Sequence, residues 1–180
     1  MARWILWLMV FGFSINLSGQ DRENFLQNLN VNEWVEIEGV PQEDGSILAL
    51  EIKVLYGELE NDDYEVNGIV GNVSSEDKRI SILALTIFFD QETEYDDKYN
   101  AIKSFSDISS GQCVEAEGSV LSDGTFLAKE IGLKKPKKGE ENIFEWRGKV
   151  QSVEAANNRF EMLGHTVIIS PETIIKSLVH

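Results

Sequence analysis

Short runs in which Val, Ile and Ala alternate with Glu and Lys dominate the chain, and clusters of turn residues separate them. In Trp34-Val35-Glu36-Ile37-Glu38 the apolar Val35 and Ile37 fall on one face of an extended strand and the two glutamates on the other; Val114-Glu115-Ala116-Glu117 repeats the pattern. Each run reaches an Asp-Gly pair, Asp44-Gly45 or Asp123-Gly124, where a tight hairpin turn finds the positive φ it needs, and leaves on a second strand predicted over 46–54 or 125–133. Further strands are expected over 64–73, 79–85 and 86–90, with a polar turn at 74–78; a copy of this unit begins at Phe144 and turns at Asn157-Asn158. Gly39, Gly68, Gly118 and Gly148 lie inside strand patterns, where glycine permits the bulge or coil that a closing barrel requires. Spaced apolar residues predict a short helix over 21–30 (Phe25, Leu26, Leu29) and another between 95 and 110 (Tyr99, Ile102, Phe105, Ile108).

These units recur. Val35 to Val54 and Val114 to Leu133, 79 residues apart, agree at 10 of 20 positions, and Tyr64 to Tyr95 matches Phe144 to Ile175 at a spacing of 80. The order along the chain is hairpin, three-strand unit, hairpin, three-strand unit. The stretch 64–133 therefore holds three strands, a connecting segment and a two-stranded hairpin, the order of a five-stranded oligonucleotide/oligosaccharide-binding (OB) barrel. Residues 21–55 supply the last part of a second such module and 144–180 the first part, and either alone would leave an apolar face and unpaired edges. The fold expected is thus all-β: two small OB-like five-stranded barrels from an internal duplication, one continuous over 64–133 and one assembled from the two ends of the chain. The acidic stretch 56–63 and the Lys-rich stretch 134–143 are the crossovers, the second read as a solvated linker.

Glu-Gly strands, Asp-Gly hairpins and the spacing of Phe105, Ile108 and Gly111 together resemble the bacterial repeats known as domain of unknown function 5666. That resemblance implies an OB-like fold in an exported protein and no particular activity. The continuous module is also similar, more distantly, to the OB-type haem chaperone of cytochrome c maturation, through Phe126, Ala128, Glu130 and Ile131. Leu133-Lys134-Lys135-Pro136 follows, with lysine where the haem-binding histidine of that family would stand, so the likeness extends to topology and not to haem.

Residues 1–20 read as a secretory signal, with Arg3, an apolar run from Trp4 to Phe13 and small or polar residues before Asp21. Ten residues are too few to span a bilayer, and a membrane enters only if this segment is retained as an anchor. The expected location is periplasmic or secreted. A formal net charge of −15 argues against nucleic acid, whose binding draws on Lys and Arg displacing counterions. With Cys113 as the only cysteine, no internal disulfide forms; it is expected partly exposed beside glutamates that raise its pKa.

Candidate chemistry is sparse. The two histidines, His165 and His180, form no metal-ligand pair, and His165 reads as structural. The runs Glu58, Glu60, Asp62, Asp63 and Glu92, Glu94, Asp96, Asp97 lack the spacing and central glycine of a calcium loop and read as solvated loops. Asn72-Val73-Ser74 has the form of a glycosylation acceptor. Tyr64, Phe88, Phe89 and Phe126 are expected in the core, whereas Trp34 and Trp146, read as sharing a face with glutamates, are the candidates for an exposed ligand platform. No catalytic residue, metal ligand or cofactor is assigned. The function expected is an exported, non-enzymatic binding or envelope-structural module for a protein, glycan or cation. The alternatives are a calcium-type cation-binding protein and a hydrolase working with surface carboxylates.

Overall fold

The computed structural model describes residues 19–96, 101–135 and 143–177. The signal-like apolar run lies outside the described residues. A helix, α1 (Gly19–Asn28), precedes eleven strands: β1 (Trp34–Pro41), β2 (Ile47–Leu55), β3 (Tyr64–Ser74), β4 (Arg79–Ile82), β5 (Leu85–Phe88), β6 (Glu94–Asp96), β7 (Cys113–Val120), β8 (Phe126–Leu133), β9 (Phe144–Glu154), β10 (Arg159–Met162) and β11 (His165–Ser177). Among the described residues no helix is long and apolar enough to cross a membrane.

Pairing closes two circuits of five strands. In the first, β3 pairs β4, β4 pairs β5, β5 runs parallel to β8, and β7 lies between β8 and β3. In the second, β9 pairs β10, β10 pairs β11, β11 runs parallel to β2, and β1 lies between β2 and β9. Strands from the two ends of the chain thus meet in one closed sheet, as the order of the half-units predicts. The parallel step falls at the same place in each circuit. Alternation supplies the core: on β1 the inward Val35 and Ile37 are buried while Glu36 and Glu38 are only partly so, and β7 and β9 follow suit.

Several residues that recur in sequence prove to be repeated structural devices. Thr93 and Thr173 close equivalent turns, accepting from Asp90 N at 3.1 Å and Ser170 N at 2.9 Å, and their hydroxyls donate to the carbonyls of Ala128 and Ala49 at 2.8 and 2.6 Å. Both threonines are buried, so each hydroxyl spares a carbonyl between strands from going unpaired. Gly111 and Asn32 also correspond. Each has a positive φ (88° and 71°) and donates its N–H to the long strand just past its pairing with the hairpin, at Val70 and Val150, and these are the residue types that tolerate that backbone. Gly39 and Gly118 both mark a shift of register in their hairpins. A β-carbon on Gly118 would lie 2.1 Å from the carbonyl oxygen of Leu127, and one on Gly39 would lie 2.5 Å from Ile47.

Three expectations need correction. The segment between β6 and β7 is not a helix like α1 among its described residues; it holds only a 3-10 turn, Phe105–Asp107, because Ser104 and Asp107 cap that turn on itself, while Ile102 and Ile108 are buried as the spacing implied. The apolar run 79–90 is not continuous strand through Leu85, since Leu83 adopts φ 54° and turns β4 back into β5 with only Leu83 and Ala84 between them. Its counterpart is the turn at Leu163 and Gly164 between β10 and β11. Lastly, Lys134 is not solvated linker: it is half-buried against Glu115, with which it forms an ion pair.

The β-carbon clash at Gly118 predicts that Gly118→Ala destabilises the protein by about 1–3 kcal/mol, as overpacking in a core does. Gly124→Ala meets no neighbour and bears only the strain of φ 85°, about 1–2 kcal/mol. Urea denaturation of both variants checks the order, Gly118→Ala being the worse.

Candidate functional site

Two places gather polar side chains from both circuits. The first is an open cleft of about 350 Å³ lined by Leu85, Thr86 and Phe88 of β5, Asp123, Gly124 and Thr125 of the β7–β8 hairpin, and Leu163, Gly164 and His165 at the β10–β11 turn. Local chemistry shapes each wall. Asp123 Oδ1 accepts from Thr125 N at 2.9 Å, and the hydrogen bonds from Thr125 hold this exposed carboxyl below its usual range, so it presents a fixed negative charge. Gly124 supplies the φ of 85° that lets the hairpin turn. His165 is buried edge-on against Trp146, with ring centroids 5.0 Å apart, and its Nδ1 faces the carbonyl of Gly45 at 3.4 Å. A proton on Nδ1 would let the ring donate to that carbonyl. Among the described residues no hydrogen bond joins His165 to Asp123, Thr86 or Thr125. The cleft therefore offers separate donors and acceptors beside an aromatic wall.

The second place is the seam where β3 meets β9, pairing Glu65 with Arg147 and Val66 with Trp146. Arg147 Nη2 reaches Glu36 at 3.2 Å and Glu65 at 3.1 Å, and Glu36 also takes Lys53 at 2.6 Å. Burial alone would raise the Glu36 pKa, but Lys53 and Arg147 outweigh it and hold it low. Glu65 goes the other way. Burial pushes it up to about 8, and the attraction of Arg147 does not offset that burial and the nearby Glu115 and Glu145. Asn67 stitches the same seam, its side-chain oxygen accepting from Glu145 N at 3.0 Å and its carbonyl from the Trp146 indole at 3.1 Å.

That bond explains why Trp146 is no platform. It is wholly buried, alternating with Glu145 and Arg147 rather than sharing their side, and its one polar atom is satisfied inside the protein. Trp34 does lie in phase with Glu36 and Glu38, yet it is 8% exposed, because Tyr64 packs on it at 4.6 Å between ring centroids and the Lys149 ammonium covers the ring at 5.1 Å. Outward on a strand is not outward on the molecule when a second barrel lies there. Tyr64, Phe89 and Phe126 are core, as expected, and Phe88 is half-buried at the cleft.

The remaining candidates are scattered. Cys113 is half-buried, and its thiol is raised chiefly by burial, with Lys134 opposing and Glu115 adding, rather than by carboxylates first. Asp62 pairs with Lys129, and Asp63 accepts from Glu60 N at 2.7 Å, so those acids shape a turn. Asn72 is exposed, whereas His180 and Asp97 lie outside the described residues. Among the described residues no group of three or more His, Cys, Asp or Glu is arranged to hold a metal ion. Sequence reasoning missed the cleft, whose walls come from three separate turns, one of which lies at Leu83 and Ala84 inside a run read as strand.

A family profile described as "Domain of unknown function (DUF5666)" matches residues 14–53 and 67–132. The chain belongs to the DUF5666 family. The match takes in the first hairpin and nearly all of the continuous circuit of this DUF5666 protein, and stops short of β9 to β11. No curated protein and no solved structure matches the chain, so the likeness to the haem chaperone rests on no match.

Removing Arg147 leaves Glu36 and Glu65 facing each other with less compensation. Because the arginine is about a third exposed, Arg147→Met is expected to cost about 2 kcal/mol, below the value for a fully buried pair. Glu65 in the folded protein keeps its proton up to about pH 8, and to higher pH without Arg147, so the loss changes little below that and grows as pH rises from about 7 to about 9. Denaturation of the variant at the two ends of that range measures it.

Proposed function

We propose that this protein is an exported, non-enzymatic binding module whose ligand occupies the cleft between the β4–β5, β7–β8 and β10–β11 turns. The observation that carries the reading is the position of that cleft. It lies against a strand of the three-strand unit and against the hairpin between the last two strands, the region from which OB barrels take oligosaccharides and oligonucleotides. The −15 charge disfavours a polyphosphate there. Hydroxyl and carboxylate groups beside one aromatic edge suit a short neutral glycan, and a volume of about 350 Å³ is enough for one or two sugar rings. Export is supported by the N-terminal apolar run with its preceding arginine.

A second reading, a cation-handling protein, is favoured by the excess of glutamates on the outer face of the first circuit. A calcium titration that raises the melting temperature would support it, since only a ligand preferring the folded state does so.

Saturation-transfer NMR of the chain with short neutral oligosaccharides tests the first reading. Signal is expected, weakened about tenfold in affinity by Phe88→Ala or Thr86→Val, each removing about 1.4 kcal/mol of contact. Glu23→Ala, in a separate hollow of about 440 Å³ between α1 and Ile169, should leave binding unchanged. Equal binding by all variants removes the cleft from consideration.

A further inference from the structure

Register places four glutamates in one continuous row on the outer face of the first circuit: Glu65 of β3 opposite Glu117 of β7, Glu117 opposite Glu130 of β8, and Glu130 opposite Glu94 of β6. Side chains directly opposed across a sheet share a face and lie within interaction range, so like charges there repel. A parallel row passes alongside, with Glu115 opposite Asn67 and Asp96 opposite Gly132.

The second circuit provides an internal control. At the positions equivalent by the repeat, Glu145, Glu38 and Glu51 also stand opposite one another. There, however, Lys53 reaches Glu51 at 3.5 Å and Lys176 reaches it at 2.6 Å, while Arg147, one step along β9, is shared with the first circuit through Glu65. In the first circuit the counterparts of Lys53, Lys176 and Arg147 are Gly132, Asp96 and Asn67. Carboxylates line up in both circuits, but the two lysines on the row stand only in the second; the first has Arg147 on Glu65 and Lys134 on the neighbouring Glu115.

We propose that the row is a proton-operated clasp: protons shared among Glu65, Glu117 and their neighbours hold the first barrel closed in mild acid, and their loss at alkaline pH loosens it while the second barrel is unaffected. Glu65 meets Arg147 and Glu145 from β9, Glu115 from β7 and Lys134 after β8. Glu117 meets Glu115, Arg147, Asp63 and Lys129; Glu130 meets Glu117, Asp96, Glu94 and Glu115. Burial first, and the acids after it, raise all three glutamates, Glu65 to about 8. A carboxyl raised by folding binds a proton that the unfolded chain has released, so stability falls as pH climbs from the ordinary carboxylate range through about 8 and levels off above it. Glu130 and Glu94 are exposed and solvent screens them; the half-buried Glu65 and Glu117 carry the effect.

Hydrogen exchange of the whole chain, read by mass spectrometry at about pH 5.5 and about pH 8.5 and corrected for intrinsic rates, tests the clasp. Protection in β7 and β8 is expected to fall by about tenfold per pH unit for each proton released, with β1 and β2 nearly constant. The double variant Glu65→Gln with Glu117→Gln should abolish the fall. Asp96→Lys, which supplies the charge that Lys176 brings to the other copy, should reduce it. Equal loss of protection in both circuits, or a fall that persists in the double glutamine variant, overturns the proposal.

Discussion

The structure hangs on two long strands that each serve three sheet neighbours. β3 pairs with β4, β7 and β9, and β9 pairs with β1, β10 and β3. A strand can do this only by curling, so that one end bonds within one part of the sheet and the other end within another. Phe144, at the start of β9, crosses toward the first circuit, where its ring fills the space a β-carbon on Gly68 would need, at 2.3 Å. Gly148 answers on the other side, leaving room for Tyr64. Large residues on one strand and glycines on its neighbour let the two circuits approach closely enough to bond through their backbones.

That approach changes the chemistry of the residues caught between. Glu36, Glu65 and Arg147 occupy strand positions that alternation assigns to solvent, yet each is largely covered because the other barrel stands where water would be. Carboxylates in such a place either pair fully, as Glu36 does with Lys53 and Arg147, or take up a proton, as Glu65 is poised to do. The seam is therefore both the mechanical joint and the most electrostatically perturbed region described.

Repetition in the sequence corresponds to repetition in structure down to single hydrogen bonds, as the paired roles of Thr93 with Thr173 and Asn32 with Gly111 show. Where the copies differ, the differences lie mostly on the outside. Lysines replace Asp96 and Gly132; the exceptions are Trp34, covered at the seam where the other circuit has Cys113, and α1, a full helix where the other has a 3-10 turn. Backbone geometry accounts for the shared residues, and no such constraint fixes those on the surface. The DUF5666 profile covers the first hairpin and most of the first circuit.

Alternation, Asp-Gly turns and the spacing of the repeats were enough, read from the chain alone, to determine most of the strands, their faces within each hairpin, and the need for the two ends to meet, though not β6 or the turn between β4 and β5. These are local constraints of period and turn conformation, together with the demand that no apolar face or sheet edge be left open. Tertiary structure decided the rest. It buried Trp34 and Trp146, set Glu65 beside Arg147 across 82 residues of chain, and brought Phe88, Asp123 and His165 to one cleft. Such outcomes depend on how two curved sheets stack, and no period along a single strand records what will come to lie against its outer face.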